Sequence, residues 1–230
     1  MRSFLIAIIL FSGLLTMAQH GNSYYTPWYG AIGLHTVSSR YASGSNEITA
    51  SLTYADVRAV LFAKKGYLEW GIPVAGYVLS GVIAKGKLPN DSGEVPLLYV
   101  KGGWDIVRGK VISIGMGASL NTVLIDVKGI EGFGASLESY GTLSPLLYAK
   151  INIGSLLFVP VFEYNALSFA NTTGTTRPGF SVGSHCIIPI SKRLGINLNP
   201  VFEKGTFKGE GNPMTSSSFN FNVGLVVRPR

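Results

Sequence analysis

The chain has 230 residues and a formal net charge of +7. Apolar residues make up 47% of it and charged residues only 13%, whereas soluble domains average about a quarter charged. This composition excludes a disordered or solvating tail protein. The single cysteine, Cys186, excludes an internal disulfide. The three widely separated histidines, His20, His35 and His185, argue against a zinc site.

The first eighteen residues have the pattern of a secretory signal peptide. A short basic start precedes an apolar run over residues 4–15, and the small residue Ala18 stands at the expected cleavage site. The apolar run is too short for a transmembrane helix, which needs about 20 residues. The sequence therefore predicts a signal peptide over residues 1–18 and an exported domain over residues 19–230.

The exported domain alternates between apolar and small polar residues. From Phe219 to Val227 every odd position is bulky and apolar, and the even positions carry two Asn, one Gly and one Val. Residues 112–121 and 194–199 follow the same rule. Successive side chains of a strand lie on opposite faces, so these segments are predicted to be strands with one apolar and one small polar face. The Gly-, Ser- and Asn-rich face suits a crowded, hydrated interior.

The same pattern predicts a strand in each of ten segments, at residues 28–38, 50–63, 67–83, 95–105, 109–124, 140–151, 155–168, 178–190, 194–206 and 217–228. At one end, the loop side, five long connections are predicted over residues 39–49, 84–94, 125–139, 169–177 and 207–216. At the other end, the turn side, four tight turns are predicted near residues 64–66, 108–109, 152–154 and 191–193. This asymmetry is typical of outer-membrane barrels. The sequence therefore predicts an all-β fold, a transmembrane antiparallel up-and-down β-barrel of about ten strands, with eight or twelve as alternatives.

Aromatic residues concentrate near the predicted strand ends. Those at the turn side are Tyr24, Tyr25, Trp28, Tyr67, Trp70 and Trp104. Those at the loop side are Tyr140, Phe169, Phe180, Phe207 and Phe219. Because membrane interfaces select aromatic side chains, the two groups predict two aromatic belts that border an apolar band.

Together, the signal peptide, the glycine-rich alternating strands and the rhythm of long and short connections resemble small outer-membrane β-barrel proteins of diderm bacteria, in particular their porin-like outer-membrane barrel domains. The resemblance covers residues 19–230 and is one of pattern, without a signature motif. It implies an outer-membrane location, with outer-membrane lipid as the surrounding partner and an envelope protein complex as a candidate partner. The chain departs from the pattern at its end, where such barrels often carry an aromatic residue and this one has Arg230.

If the bulky residues at every second position of a strand face lipid, the residues between them (the other parity, odd or even) face the lumen. Inward placement of strand-borne charges is favoured, because Arg or Lys on the lipid face costs about 2–4 kcal/mol at mid-membrane. Glu69 and Lys101 are expected on adjacent strands, close enough to pair. The lumen of about ten strands is little wider than side chains can fill. The expected polar network of the lumen comprises Arg58, Glu69, Lys101, Lys150, Glu163 and Glu203. We expect it to act as a neutralising plug, or alternatively to line a selective small-solute path or a ligand pocket.

No catalytic, cofactor or metal site is predicted. His35 and His185 have serines nearby but no neighbouring carboxylate in sequence that would orient them as a base. The glycine-rich segments 129–134 and 209–211 lack the strand–loop–helix context of a phosphate site. Lys and Arg residues are spread over turns and loops, which argues against a nucleic-acid partner.

The sequence favours a structural or passive function. The barrel would stabilise the envelope, support a larger envelope complex or pass small solutes. The first alternative is a surface-binding or adhesive role for the five long loops, because loops on a rigid scaffold commonly carry binding. The second alternative is a lipid-modifying or proteolytic barrel enzyme.

Overall fold

The computed structural model describes residues 28–43, 46–63, 65–73, 93–109, 111–126, 138–153, 156–170, 177–191, 194–208 and 213–227. The predicted signal peptide, residues 1–18, lies outside this described part. So do most residues of three of the predicted long loops, within 74–92, 127–137 and 171–176, and residues 209–212 of a fourth.

The described residues form eleven strands. These are β1 (Trp28–Ser43), β2 (Asn46–Leu61), β3 (Gly66–Pro73), β4 (Gly93–Arg108), β5 (Ile112–Asp126), β6 (Glu138–Ile153), β7 (Leu156–Asn165), β8 (Leu167–Ala170), β9 (Gly179–Pro189), β10 (Leu194–Phe207) and β11 (Met214–Val227). The described part contains no helix that is long and apolar enough to cross a membrane.

The strands close into a ring of antiparallel neighbours. Consecutive strands pair from β1 to β7, β9 to β11 continue the ring, and β11 pairs with β1. Strands β7 and β8 both pair with β6 and together act as one barrel strand, interrupted at Ala166. The predicted ten-stranded antiparallel barrel is therefore confirmed, with β8 as an additional short strand.

The first predicted long connection, residues 39–49, is wrong. Strand β1 continues to Ser43 and β2 begins at Asn46, and the two residues are register partners. The apolar outer face of β1 ends near Leu34, and polar residues such as Arg40 continue the strand beyond it. Backbone hydrogen bonds between strands need no apolar side chains. The strand therefore extends beyond the residues whose alternating pattern predicted it.

The outer surface of the barrel is apolar. On β1, Ile32 is 69% and Leu34 is 64% exposed, whereas the alternate residues Ala31 and His35 are buried. On β11 the bulky odd-numbered residues from Phe219 onward are exposed in the same way. An apolar surface that continues around the barrel is matched by hydrocarbon and not by water.

Some aromatic residues occupy the predicted belts. Trp104 is 67% exposed near the turn-side end of β4. Toward the loop side, the rings of Phe162, Phe180 and Phe202 form a row across three neighbouring strands, with centroids 6.5 Å and 6.2 Å apart, and Phe219 is exposed on β11. The side chains of three predicted belt residues, Trp28, Tyr140 and Phe169, lie outside the described part. Two further belt residues, Tyr24 and Tyr25, lie wholly outside it.

Two belt assignments are wrong. Tyr67 and Phe207 are both buried inside the barrel. Tyr67 shares the inward face of β3 with Glu69, two residues further on, and the ring of Phe207 lies under the guanidinium group of Arg177. A position near a strand end does not show whether a side chain faces the lumen or the outside. The odd or even position of the residue along the strand does show it.

Candidate functional site

Arg58 is the centre of a buried ion-pair network in the lumen. It lies on β2 and is 1% exposed. Its Nε and Nη2 donate to Asp56 Oδ2 at 3.0 Å and 2.7 Å, and its Nη1 donates to Asn199 Oδ1 of β10 at 3.0 Å. The same Nη1 lies 3.7 Å from Glu69 Oε1. Asp56 was not predicted, although its spacing of two residues from Arg58 places both on the inner face.

Glu69 joins β3 to β9 through a histidine and a tyrosine. Its carboxylate accepts a hydrogen bond from the Tyr67 hydroxyl and lies 3.0 Å from His185 Nε2. The Tyr67 hydroxyl is also 3.4 Å from His185 Nε2, and Asn197 Nδ2 is 3.4 Å from His185 Nδ1. This carboxylate partner of His185 was not predicted, because Glu69 is distant from it along the chain.

Lys101 and Glu163 form a second group in the lumen. Lys101 Nζ lies 2.5 Å from Glu163 Oε1 of β7. The same carboxylate accepts hydrogen bonds from the Ser119 hydroxyl and from Asn121 Nδ2. Glu69 is the register partner of Lys101 on the adjacent strand, as expected, but the two side chains have other ionic partners, Arg58 and His185 for Glu69 and Glu163 for Lys101. Lys101 instead pairs with a carboxylate presented by a different strand.

Lys150 and Asp105 form a third group, near the turn side. Lys150 Nζ donates to Asp105 Oδ2 at 2.6 Å and to the backbone carbonyls of Ala63 and Gly66 at 2.9 Å and 3.3 Å. The Tyr148 hydroxyl donates to Asp105 Oδ1 at 2.8 Å. These bonds tie β4 and β6 to the connection between β2 and β3.

Glu203 belongs to a fourth group, near the loop side. Arg177 Nη1 lies 3.0 Å from Glu203 Oε1, and Arg177 Nη2 donates to Ser216 Oγ at 3.2 Å. The Arg177 guanidinium carbon is 4.8 Å from the centroid of the Phe207 ring. Arg177 was expected in a loop and was not predicted as a lumen residue.

The six residues of the expected network all have ionic partners of opposite charge on the inner side of the barrel. The structure distributes them over four groups and adds Asp56, Asp105 and Arg177 as partners. A parity count from each strand's known inward residues could have found both aspartates. The pairings themselves follow from barrel closure and strand register, which spacing along the chain does not contain.

An apolar core fills the turn-side half of the lumen, where the sequence led us to expect mainly small and polar side chains. The rings of Phe62 and Tyr67 stack with centroids 5.3 Å apart and planes at 13°, and Tyr148 packs against Tyr67 at 5.3 Å. The buried cluster comprises Ala31, Val60, Phe62, Tyr67, Leu146, Tyr148, Leu157, Val159, Val161, Ile187 and Val226. We call this cluster the apolar plug.

Gly115 provides the space that one ring of the apolar plug occupies. It is the register partner of Tyr148, whose ring lies where a Cβ atom at position 115 would stand. Gly115 also faces the backbone carbonyl of Trp104 on the other side. The glycine therefore allows the Tyr148 hydroxyl to reach Asp105.

We expect Gly115→Ala to lower the free energy of unfolding by about 1–3 kcal/mol, because the added methyl group overpacks the site and displaces Tyr148. Gly224→Ala is the matched control, since a Cβ atom there would meet its nearest neighbours at ordinary contact distances of 3.4 Å or more. The measurement is urea unfolding of the two variants in lipid vesicles. Equal stability of the two variants would show that the Tyr148 ring moves away at no cost.

The loop-side half of the lumen contains a cavity of about 110 Å³ whose wall combines polar and apolar groups. We call it the cup. Its wall is formed by residues of β1, β3, β4, β5, β7, β9, β10 and β11, among them His35, Glu69, Tyr99, Lys101, Asn121, Asn165, Ser181, Asn199, Glu203, Ser218 and Asn220. Within the described residues, no group of three or more His, Cys, Asp or Glu side chains is placed to hold a metal ion.

The solved structures that this barrel resembles are outer-membrane β-barrel proteins. They include the outer membrane protease OmpT from Escherichia coli, with 9% identity, a TM-score of 0.47 and coverage of 91% of this chain and 99% of that one. OprG from Pseudomonas aeruginosa has 10% identity, a TM-score of 0.35 and coverage of 88% and 95%. Ail, the attachment invasion locus protein of Yersinia pestis, has 6% identity, a TM-score of 0.30 and coverage of 86% and 98%.

These likenesses concern the barrel fold and single out no role, since the similar proteins include a protease, an attachment protein and a porin. A comparison with known protein families gives no match, and a comparison with curated proteins gives none either.

Proposed function

We propose that the protein is an outer-membrane barrel with a structural role, exported by a signal peptide over residues 1–18, whose lumen is closed to solutes by its own side chains. The apolar exterior supports the membrane location, because hydrocarbon accommodates apolar side chains and makes charged or polar ones costly. The main support for a closed lumen is the presence of the apolar plug inside the barrel.

The apolar plug obstructs solutes for two reasons. Its side chains come from β1, β2, β3, β6, β7, β9 and β11, so they reach the lumen from most of its circumference. An ion that entered this region would lose its hydration, which costs several kcal/mol. The ion pairs nearby offer it no uncompensated charge, because Lys150 is held by Asp105 and Arg58 by Asp56.

Single-channel recording in planar bilayers tests the closed lumen. We expect no current steps from the natural protein, and current steps from the double variant Phe62→Ala with Tyr67→Ala, which removes the two stacked rings of the apolar plug. The matched control is Tyr67→Phe, which keeps the ring and removes only the hydroxyl, and it should remain silent. Steady ohmic steps from the natural protein would overturn the proposal in favour of a passive channel.

A further inference from the structure

The cup lies next to the apolar plug, mostly on the loop side of it. Most of its lining residues lie in the loop-side half of their strands, for example Ser218 near the start of β11 and Glu203 near the end of β10. The apolar plug closes the opposite half of the same lumen. A molecule in the cup would therefore meet both polar and apolar groups of the wall around it, with the apolar plug beyond it.

The charged groups of the cup are already paired within the protein. Lys101 lies 2.5 Å from Glu163, and Glu203 lies 3.0 Å from Arg177. Glu69 is held by His185 and Tyr67. A charged ligand would have to compete with these pairs and would leave one partner uncompensated, which is unfavourable in a buried site. The cup is thus built for a ligand without net charge.

Neutral hydrogen-bonding groups in the cup have capacity left for a ligand. Asn165 is 3% exposed, and its Oδ1 accepts from Ser144 at 2.9 Å, while its Nδ2 makes no hydrogen bond within the described residues. Asn220 also lines the cup, and its buried Oδ1 has no hydrogen-bond partner among the described residues either. Buried polar atoms in proteins are normally hydrogen-bonded. A free donor and a free acceptor in one cavity suit a ligand that carries several hydroxyl groups, because each hydroxyl both donates and accepts.

We propose that the cup binds a neutral polyhydroxylated molecule of about monosaccharide size. The hydroxyls of Ser181 and Ser218 and the side chain of Tyr99 line the same cavity, and they add groups suited to hydroxyl recognition. A volume of about 110 Å³ holds several water molecules, which a single sugar ring would replace. This binding function goes beyond the structural role proposed above and does not require an open lumen.

Equilibrium dialysis of the purified protein in lauryldimethylamine oxide tests the proposal with three probes that share one ring: radiolabelled D-glucose, D-glucosamine and D-glucuronate. This detergent carries no sugar headgroup that would compete. We expect saturable binding of glucose, at least tenfold tighter than binding of either charged sugar. Failure of glucose to bind saturably, or tighter binding of a charged sugar, would overturn the proposal.

Two substitutions in the cup should each weaken glucose binding at least tenfold: Asn165→Leu, which removes the free donor, and Asn220→Leu, which removes the free acceptor. The matched control is Asn197→Leu, an equivalent change at a buried lumen asparagine that is not part of the cup. Undiminished binding in both cup variants would place the sugar elsewhere and reject the site.

Barrel formation in each variant is checked by its faster migration in unboiled detergent gels. Should Asn165→Leu fail this check, Asn220→Leu decides alone. Absence of glucose binding would not change the expected absence of current in the bilayer recordings. The binding proposal and the closed-lumen proposal can therefore fail independently.

Discussion

Replacing Arg58 by Ala is expected to lower the free energy of unfolding by about 3–5 kcal/mol. The guanidinium group lies between two carboxylates, those of Asp56 and Glu69, and also bonds the amide of Asn199. Its removal leaves buried negative charge without a compensating partner, and that uncompensated charge is the main source of the cost. Urea unfolding in lipid vesicles, followed by tryptophan fluorescence, measures the change.

A second variant separates the lost charge from lost packing. Arg58→Met combined with Asp56→Asn removes both charges of the closest pair and keeps most of the side-chain volume, so it should be less destabilised than Arg58→Ala. A loss below about 1 kcal/mol in Arg58→Ala is the value typical of solvent-exposed ion pairs. It would mean that water reaches the network, and the closed lumen would then be untenable.

The barrel could be predicted from the sequence because its physical cause is local. A strand with lipid on one side and lumen on the other must alternate, and β11 does so from Phe219 to Val227, over most of its paired length. Strand ends were harder to predict. Beyond the apolar band the outer face of β1 carries Ser38 and Arg40, whose polarity says nothing about whether the backbone is still paired.

The partners in the lumen could not be predicted, because they depend on which strands face each other across a closed ring. Lys101 and Glu163 are separated by 62 positions along the chain, and they meet in the lumen because β4 and β7 belong to the same closed ring. Their odd or even positions along the strands correctly predict that both side chains face the lumen. The order of strands in the sheet suggests Glu69, on the adjacent strand, as the partner of Lys101. Pairing across the lumen outweighed pairing along the sheet.

The apolar plug escaped prediction for a different reason. On β7 both faces are apolar: Val159 and Val161 are buried in the lumen, and Phe162 is exposed on the outside. Where odd and even positions are both apolar, the sequence pattern does not show which residues face the lumen and which face outward. An apolar inner face is possible here because the side chains of β7 meet Tyr67, Tyr148 and other members of the plug, and not water.

The claim that hydrocarbon surrounds the barrel makes a second strong prediction. Leu34→Arg is expected to lower the free energy of unfolding by about 2–4 kcal/mol, because an Arg side chain at mid-membrane must be buried in lipid or must draw water toward itself. Leu34 is the register partner of Val223, in the middle of the exposed apolar run of β11. Urea unfolding in phospholipid vesicles gives the value.

Ser38→Arg is the matched control, on the same strand and the same outer face, four residues closer to the loop side. Its cost should be about 0–1 kcal/mol, as found near membrane interfaces. The difference between the two variants is the decisive quantity, because both add the same side chain to the same surface. If Leu34→Arg is tolerated as well as Ser38→Arg, the outer surface meets water, and the apolar residues of β1 and β11 need an explanation other than lipid.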